Sequence, residues 1–112
     1  MKQGKVWGHT ECILSNSSVE VHRIEGKAGH KCSEHKHTNK WNAFYVESGH
    51  LIIRIWQQDQ GLIDETHLFS GDSTSVSPGL YHQFVVVEDT VAFEFYWSEF
   101  EVNDIVRRTS GS

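Results

Sequence analysis

The sequence predicts an all-β protein, a sandwich or barrel of short strands, and three observations carry that reading. Turn-forming stretches recur at short intervals: "SNSS" at 15–18, "GKAG" at 26–29, "SG" at 48–49, "QDQG" at 58–61, "SGD" at 70–72, "SPG" at 77–79 and "ED" at 88–89. The segments between them are rich in Val, Ile, Phe, Tyr and Trp, which suit a pleated, half-buried backbone. Those segments alternate with period two, not at the i, i+3, i+4 spacing of a helix.

The alternation is clearest in two places. In "LIIRIW" (51–56), Leu51, Ile53 and Ile55 share one face, and Ile52, Arg54 and Trp56 the other. In "VAFEFYW" (91–97), Val91, Phe93, Phe95 and Trp97 oppose Ala92, Glu94 and Tyr96. A short helix or turn fits "VNDIVR" (102–107), and the final "TSGS" reads as frayed. The 112 residues suffice for one core and not for two. A single domain over 1–112 is expected, with its core at about 19–98 and a tail at 99–112.

The formal net charge of −5 argues against nucleic acid, whose phosphates call for a basic surface. No run approaches the roughly 20 apolar residues of a membrane span. Residues 1–20 show no apolar stretch of the signal-peptide kind. The expectation is a soluble, cytoplasmic protein with neither nucleic acid nor membrane as partner. Cys12 and Cys32 are too few for a disulfide framework and read as reduced thiols. Aromatic strands with open edges suggest a homodimer.

Eight histidines are the one compositional excess. His35 and His37 stand two apart, so on a strand they point to the same side. His82 lies far along the chain, just after "SPGLY". In a barrel the inward faces of neighbouring strands meet in one cavity. Three imidazoles converging there would suit Zn, Fe, Mn, Ni or Cu, with positions left for water or substrate. His22, His30, His50 and His67 read as surface residues. Strand parity turns Cys32 away from His35, and turns Glu34 away unless a bulge brings it inward as a reserve ligand.

Two motifs add a family. "G-HKCSE-H-K-H-TNKW-N-AFYVES-G" (Gly29 to Gly49) resembles the first motif of the cupins, and "G-DSTSV-SPG-LY-H-QFV" (Gly71 to Val85) resembles the second. The resemblance implies a single-domain cupin, a double-stranded β-helix or jelly-roll barrel. It implies four metal-facing positions, His35, His37, Asn42 and His82, around a divalent transition metal such as Zn, Mn, Fe, Ni or Co. Asn42 departs from the pattern, because the family usually has Glu there. A neutral amide is a poorer ligand than a carboxylate. It leaves the cation's charge uncompensated and favours a small anionic partner.

A narrower likeness points within the family. "VWG" (6–8) and "VNDIVRR" (102–108) resemble pieces of the cupin domain in type II phosphomannose isomerases and mannose-phosphate guanylyltransferases. That likeness implies a sugar-phosphate contact for Arg107, whose planar fork suits phosphate. Arg54 and Tyr96 are further candidates for contacts to an anionic ligand. That subset usually carries Gln, His and Glu where this chain has His35, His37 and Asn42, which weighs against the isomerisation itself. The expected function is a metal-binding cupin, isomerase-like towards mannose-6-phosphate. The alternatives are a three-His iron dioxygenase-like cupin and a non-catalytic small-molecule binder.

Overall fold

The period-two alternation becomes seven strands in a computed structural model, which describes residues 2–57, 61–98 and 104–111, apart from the Ile63 side chain. They are β1 (Lys2–Lys5), β2 (Gly8–Ser15), β3 (Val19–Gly26), β4 (Trp41–Gln57), β5 (Gly61–Phe69), β6 (Ser73–Val76) and β7 (Tyr81–Trp97). Every pairing is antiparallel, in the order β1-β2-β3-β7-β4-β5, with β6 on β4. No helix occurs among the described residues. The architecture is the jelly roll expected from the sequence.

Strands β4 and β7 are long because each serves both halves of the barrel. Trp41–Val46 pairs with Ala92–Trp97, and also with β6. His50–Trp56 pairs with Tyr81–Glu88, and also with β5. The register shifts between Val46 and Leu51. Ser48-Gly49, expected to be a turn, is therefore a bulge inside a continuous strand, and Glu88-Asp89 lies within β7 opposite it. The bulge exchanges the faces of β4. Asn42, Phe44 and Val46 are buried before it, and Leu51 and Ile53 after it.

Gly49 makes the bulge sterically feasible. Its φ is +105°, and a Cβ there would collide with Asp89 O and Thr90 Oγ1. The buried Thr90 hydroxyl fastens the bend: it accepts from His50 N at 3.0 Å and donates to Glu88 O at 2.7 Å.

Ile24, Phe44, Val46, Leu51, Ile53, Leu68, Val76, Phe84, Val86 and Ala92 form the core, joined by Trp7 from the β1–β2 turn. Trp7 packs edge-on against Phe84, with centroids 4.8 Å apart. Gly8 follows it because a Cβ there would meet Glu25 O. The Trp-Gly pair thus has a packing reason of its own, and β1 and β2 extend the sheet ahead of residue 19. On β7 the aromatic face of Phe93, Phe95 and Trp97 turns outward, while Ala92, Glu94 and Tyr96 share the inner face.

The histidine segment is not a regular strand. Residues 30–37 run along the edge of β7 opposite β4, held by isolated bridges at Lys31↔Val85 and His35↔His82, and the chain bends at Thr38-Asn39. The run "HKCSEHKHTNK" offers no apolar face to bury, so ladder pairing stays sparse. His35 and His37 still share a side. Cys32 does not follow strict parity: it lines the same cavity as His35. Its Sγ accepts from Phe84 N at 3.1 Å, and burial pushes its pKa up to about 12, the state of an inert reduced thiol. Residues 104–107 are exposed and not helical, whereas 102–103 of the expected helix and 58–60 of the expected turn lie outside the described residues.

Gly49→Ala should destabilise the fold by more than about 1 kcal/mol, because alanine suits neither the φ nor the space. A melting temperature lowered by several degrees is expected for a domain of this size. An unchanged melt would show that the bulge does not depend on this glycine.

Candidate metal centre

Each imidazole of the candidate centre is placed by backbone contacts. The 35–37 segment is tied to β7 by His35 N to His82 O at 3.0 Å and His82 N to His35 O at 2.8 Å. The Pro78-Gly79 turn, with Gly79 at φ +88°, starts β7. Its Gly79 N donates to His37 O at 2.8 Å, fixing the second histidine against the approach to the third. The ligand atoms of His35, His37 and His82 all lie within 4.8 Å of one another. His82 is 1% exposed, and the other two are half-buried.

Hydrogen-bond partners assign the ring nitrogens. His35 Nδ1 donates to Ser33 O at 2.8 Å, which leaves a lone pair on Nε2. His82 Nδ1 lies 3.1 Å from Leu80 O, and its Nε2 lies 2.9 Å from Asn42 Oδ1. Asn42 cannot turn its amine to that ring, because Nδ2 already faces two acceptors, Phe95 O at 3.1 Å and Glu94 Oε2 at 3.4 Å. A neutral His82 has one N–H for two carbonyl oxygens. Protonation would satisfy both, but burial holds its pKa down at about 4, with His35 and His37 adding to the effect. Burial, then His35 and Lys40, lowers His37 as well.

His37 Nε2 is buried and has no hydrogen-bond partner. Such an orphan calls for an ion or a water. A cation between the rings would meet it, together with the lone pairs of His35 and His82 and the Asn42 oxygen. The donor set therefore fits a divalent transition metal: neutral imidazoles, with backbone carbonyls orienting two of them.

A carboxylate adjoins this group. Glu94 sits on the inner face of β7 beside Tyr96, and the Asn42 amide donates to it at 3.4 Å. Burial pushes the Glu94 carboxyl up, against the opposing pull of its neighbours Tyr96 and Asn42. Burial, then Glu94, raises Tyr96. The Tyr96 ring meets His37 edge-on at 5.0 Å. Glu94 was not among the residues expected at the site. Its shared face with Tyr96 is the signal that could have found it.

His35, Glu94 and Tyr96 open onto a cavity of about 580 Å³, walled by Trp7 and Phe84, with Lys5 and Lys31 also lining it. His22, expected at the surface, lines it too. The structure brings Tyr96 to this cavity but neither arginine. Arg54 is on the outer face of β4, bonded through Nε to Glu65 Oε1 at 3.2 Å. Arg107 lies in the exposed 104–111 segment. Glu34 is exposed. A second group, Cys12, Glu20 and His22, also brings its donor atoms within 4.8 Å. It joins register partners on β2 and β3, a pairing that sequence spacing does not reveal.

The Cupin domain family matches residues 22–99, well over half of the chain. The chain belongs to the cupin family. Among solved structures, this cupin is similar to KdgF from Halomonas sp., at 14% identity and a TM-score of 0.74 over 89% of each chain. It is similar to the capsular polysaccharide assembling protein CapF from Staphylococcus aureus, at 20% identity and a TM-score of 0.74, over 93% of this chain and 30% of that one. The Cnp3 cupin domain of Schizosaccharomyces pombe matches at 11% identity and a TM-score of 0.73, over 88% of this chain and 69% of the other. Likeness at these identities shows the fold alone. Nothing in it singles out the phosphomannose isomerases within the family. Among curated proteins no sequence match is found.

The buried imidazoles make the metal-free cupin acid-sensitive. His82 titrates at its ordinary 6.5 when unfolded and at about 4 when folded. Between those values the unfolded chain binds more protons, so stability falls as pH falls from about 6.5 to about 4. Thermal melts in chelator should show this decline, and His82→Gln should flatten it. Equal slopes in the two proteins would contradict the assignment.

Proposed function

We propose that this cupin holds a divalent transition metal on His35, His37 and His82, with the Asn42 oxygen alongside, and binds a small anionic metabolite next to it. The partnerless Nε2 of His37, facing two further imidazoles, is the observation that carries the reading. The cavity has the volume usual for small-ligand sites. Lys5 and Lys31 favour an anion there. A bound metal supplies Lewis-acid polarisation of a ligand oxygen. The chain's own residues do the rest: the lysines draw in the anion, Trp7 and Phe84 exclude water on one side, and the Tyr96 and Glu94 side chains meet the ligand's polar groups.

A sugar-phosphate or sugar acid fits this description, and isomerisation of mannose-6-phosphate is the reaction to try first. That CapF is named for capsular polysaccharide assembly supports the carbohydrate class. Purified protein should contain close to one equivalent of metal at this centre by elemental analysis. Added Zn²⁺, Mn²⁺ or Fe²⁺ should raise the melting temperature of chelator-treated protein, by about 2.7 kcal/mol of stability at a hundredfold excess over Kd. His37→Ala should abolish the shift, and Cys12→Ser should leave it intact. If no metal raises the melting temperature, the reading is lost. If metal binds but mannose-6-phosphate and fructose-6-phosphate are not interconverted, only the isomerase version falls.

One observation favours a second reaction class. No carboxylate stands among the converging donor atoms of the three-histidine group. A face of neutral imidazoles also suits iron–oxygen chemistry on a chelating anion. Protein loaded anaerobically with Fe(II) should then consume oxygen with a thiol or diketone substrate. No uptake across such a panel would remove this reading and leave the first.

A further inference from the structure

Two deficits in the barrel match each other. The candidate ligands, three imidazoles and an amide, carry no negative charge to set against a divalent cation. A few ångströms away, Glu94 is a half-buried carboxylate on the wall of the cavity. Among the described residues no lysine or arginine forms an ion pair with it. A carboxylate partly withdrawn from water is costly when left unpaired. His22, His35, Lys5 and Lys31 line the same cavity.

The two deficits are physically connected. Glu94 Oε2 accepts from Asn42 Nδ2 at 3.4 Å, and Phe95 O takes the second amide proton at 3.1 Å. With both protons engaged, Asn42 Oδ1 is held toward His82 Nε2 at 2.9 Å. Strand register makes this arrangement: Asn42 pairs with Tyr96 and Phe44 with Glu94, so the amide and the carboxylate are inward-facing diagonal neighbours on β4 and β7.

We infer that Glu94 is the carboxylate of this metal centre, displaced by one shell. It acts through Asn42 as a positioning residue, holding the amide oxygen toward the cation and supplying the negative charge that a glutamate at position 42 would have placed directly on it. The inference rests on the metal reading above. It assigns a role to a residue outside both sequence motifs. It also explains why an amide is tolerated at position 42: a second carboxylate there would stand against Glu94.

The test is a charge swap, read as Zn²⁺ affinity by competition with a chromophoric chelator. Glu94→Gln keeps shape and hydrogen-bonding capacity and removes the charge. It should weaken binding roughly ten- to a hundredfold. Asn42→Glu alone should bind no tighter than wild type, because it sets two carboxylates side by side. The double variant, Asn42→Glu with Glu94→Gln, moves the charge across and should recover wild-type affinity or better. The absorption spectrum of bound Co²⁺ should change in the double variant as the oxygen donor changes type, which shows that the side chain at 42 is a ligand; the recovery of affinity over Glu94→Gln is the readout that a purely structural role for Glu94 would not produce. Circular dichroism of each metal-free variant checks folding. Wild-type affinity in Glu94→Gln, or a double variant no tighter than Glu94→Gln, overturns the inference while the metal reading stands. Failure of wild type itself to bind any metal overturns both. Should Glu94→Gln not fold, Asn42→Glu decides alone, and a tenfold or greater gain in affinity counts against Glu94.

Discussion

Strands β4 and β7 run antiparallel from Trp41↔Trp97 to Trp56↔Tyr81, interrupted only where the register shifts between Val46 and Leu51. Along a flat ladder, Asn42 and His82 would stand at opposite ends, since Asn42 pairs with Tyr96 and His82 with Ile55. The bend at Gly49 and Thr90 folds the ladder onto itself, and the two side chains meet at 2.9 Å. The same bulge exchanges the buried face of β4, so that one strand presents Asn42 to the site and Leu51 and Ile53 to the apolar layer. The candidate centre, the core and the cavity all depend on this one irregularity. It is held by a glycine that no other residue replaces without collision and by a threonine hydroxyl that closes two hydrogen bonds.

The barrel interior divides into two regions of different physics. On one side, Ile24, Phe44, Val46, Leu51 and their neighbours exclude water and supply the burial that stabilises the fold. On the other, the histidines, Asn42, Glu94 and Tyr96 form a network that is costly where incompletely satisfied. A buried polar atom without a partner costs about 1–3 kcal/mol. His37 Nε2 is one such atom, and His82 faces two carbonyl oxygens with a single proton. Stability is given up at this end of the barrel and recovered when a ligand satisfies those atoms. A protein selected for stability alone would have filled these positions with apolar side chains.

Turn spacing and alternation are local signals, so an all-β sandwich or barrel was legible from them, while the jelly roll came from the resemblance of the two motifs to the cupins. The histidine triad was legible for a similar reason: two ligands lie two residues apart, and the third follows a Pro-Gly turn. Glu94 was hidden by its own strand. In "VAFEFYW" the richer hydrophobic face is Val91, Phe93, Phe95 and Trp97, and hydrophobicity alone would direct that face inward. The structure turns it outward, because the interior at that level is a polar site and not core. The sparsely paired 30–37 segment and the bulge at 48–49 escaped for another reason. Both depend on what the chain lies against, and no window of sequence contains that partner.

Replacing a ligating carboxylate by an amide, with a carboxylate behind it, changes the centre in a definite way. Coulomb attraction falls only as the inverse of distance, so a charge one shell away still offsets much of the cation's charge, above all where water is excluded. Ligand strength falls more steeply, because an amide oxygen donates less than a carboxylate and is easily displaced. On the inference drawn above, the electrostatic and coordinating roles that one glutamate would combine would be divided between Glu94 and Asn42. Such a centre keeps its cation through charge while holding one ligand loosely. An incoming anion would then be able to displace the Asn42 oxygen without having to expel a negative group. That exchange is easier than in a site with its carboxylate on the metal, and it favours substrates that arrive charged. The lysines lining the cavity fit the same preference.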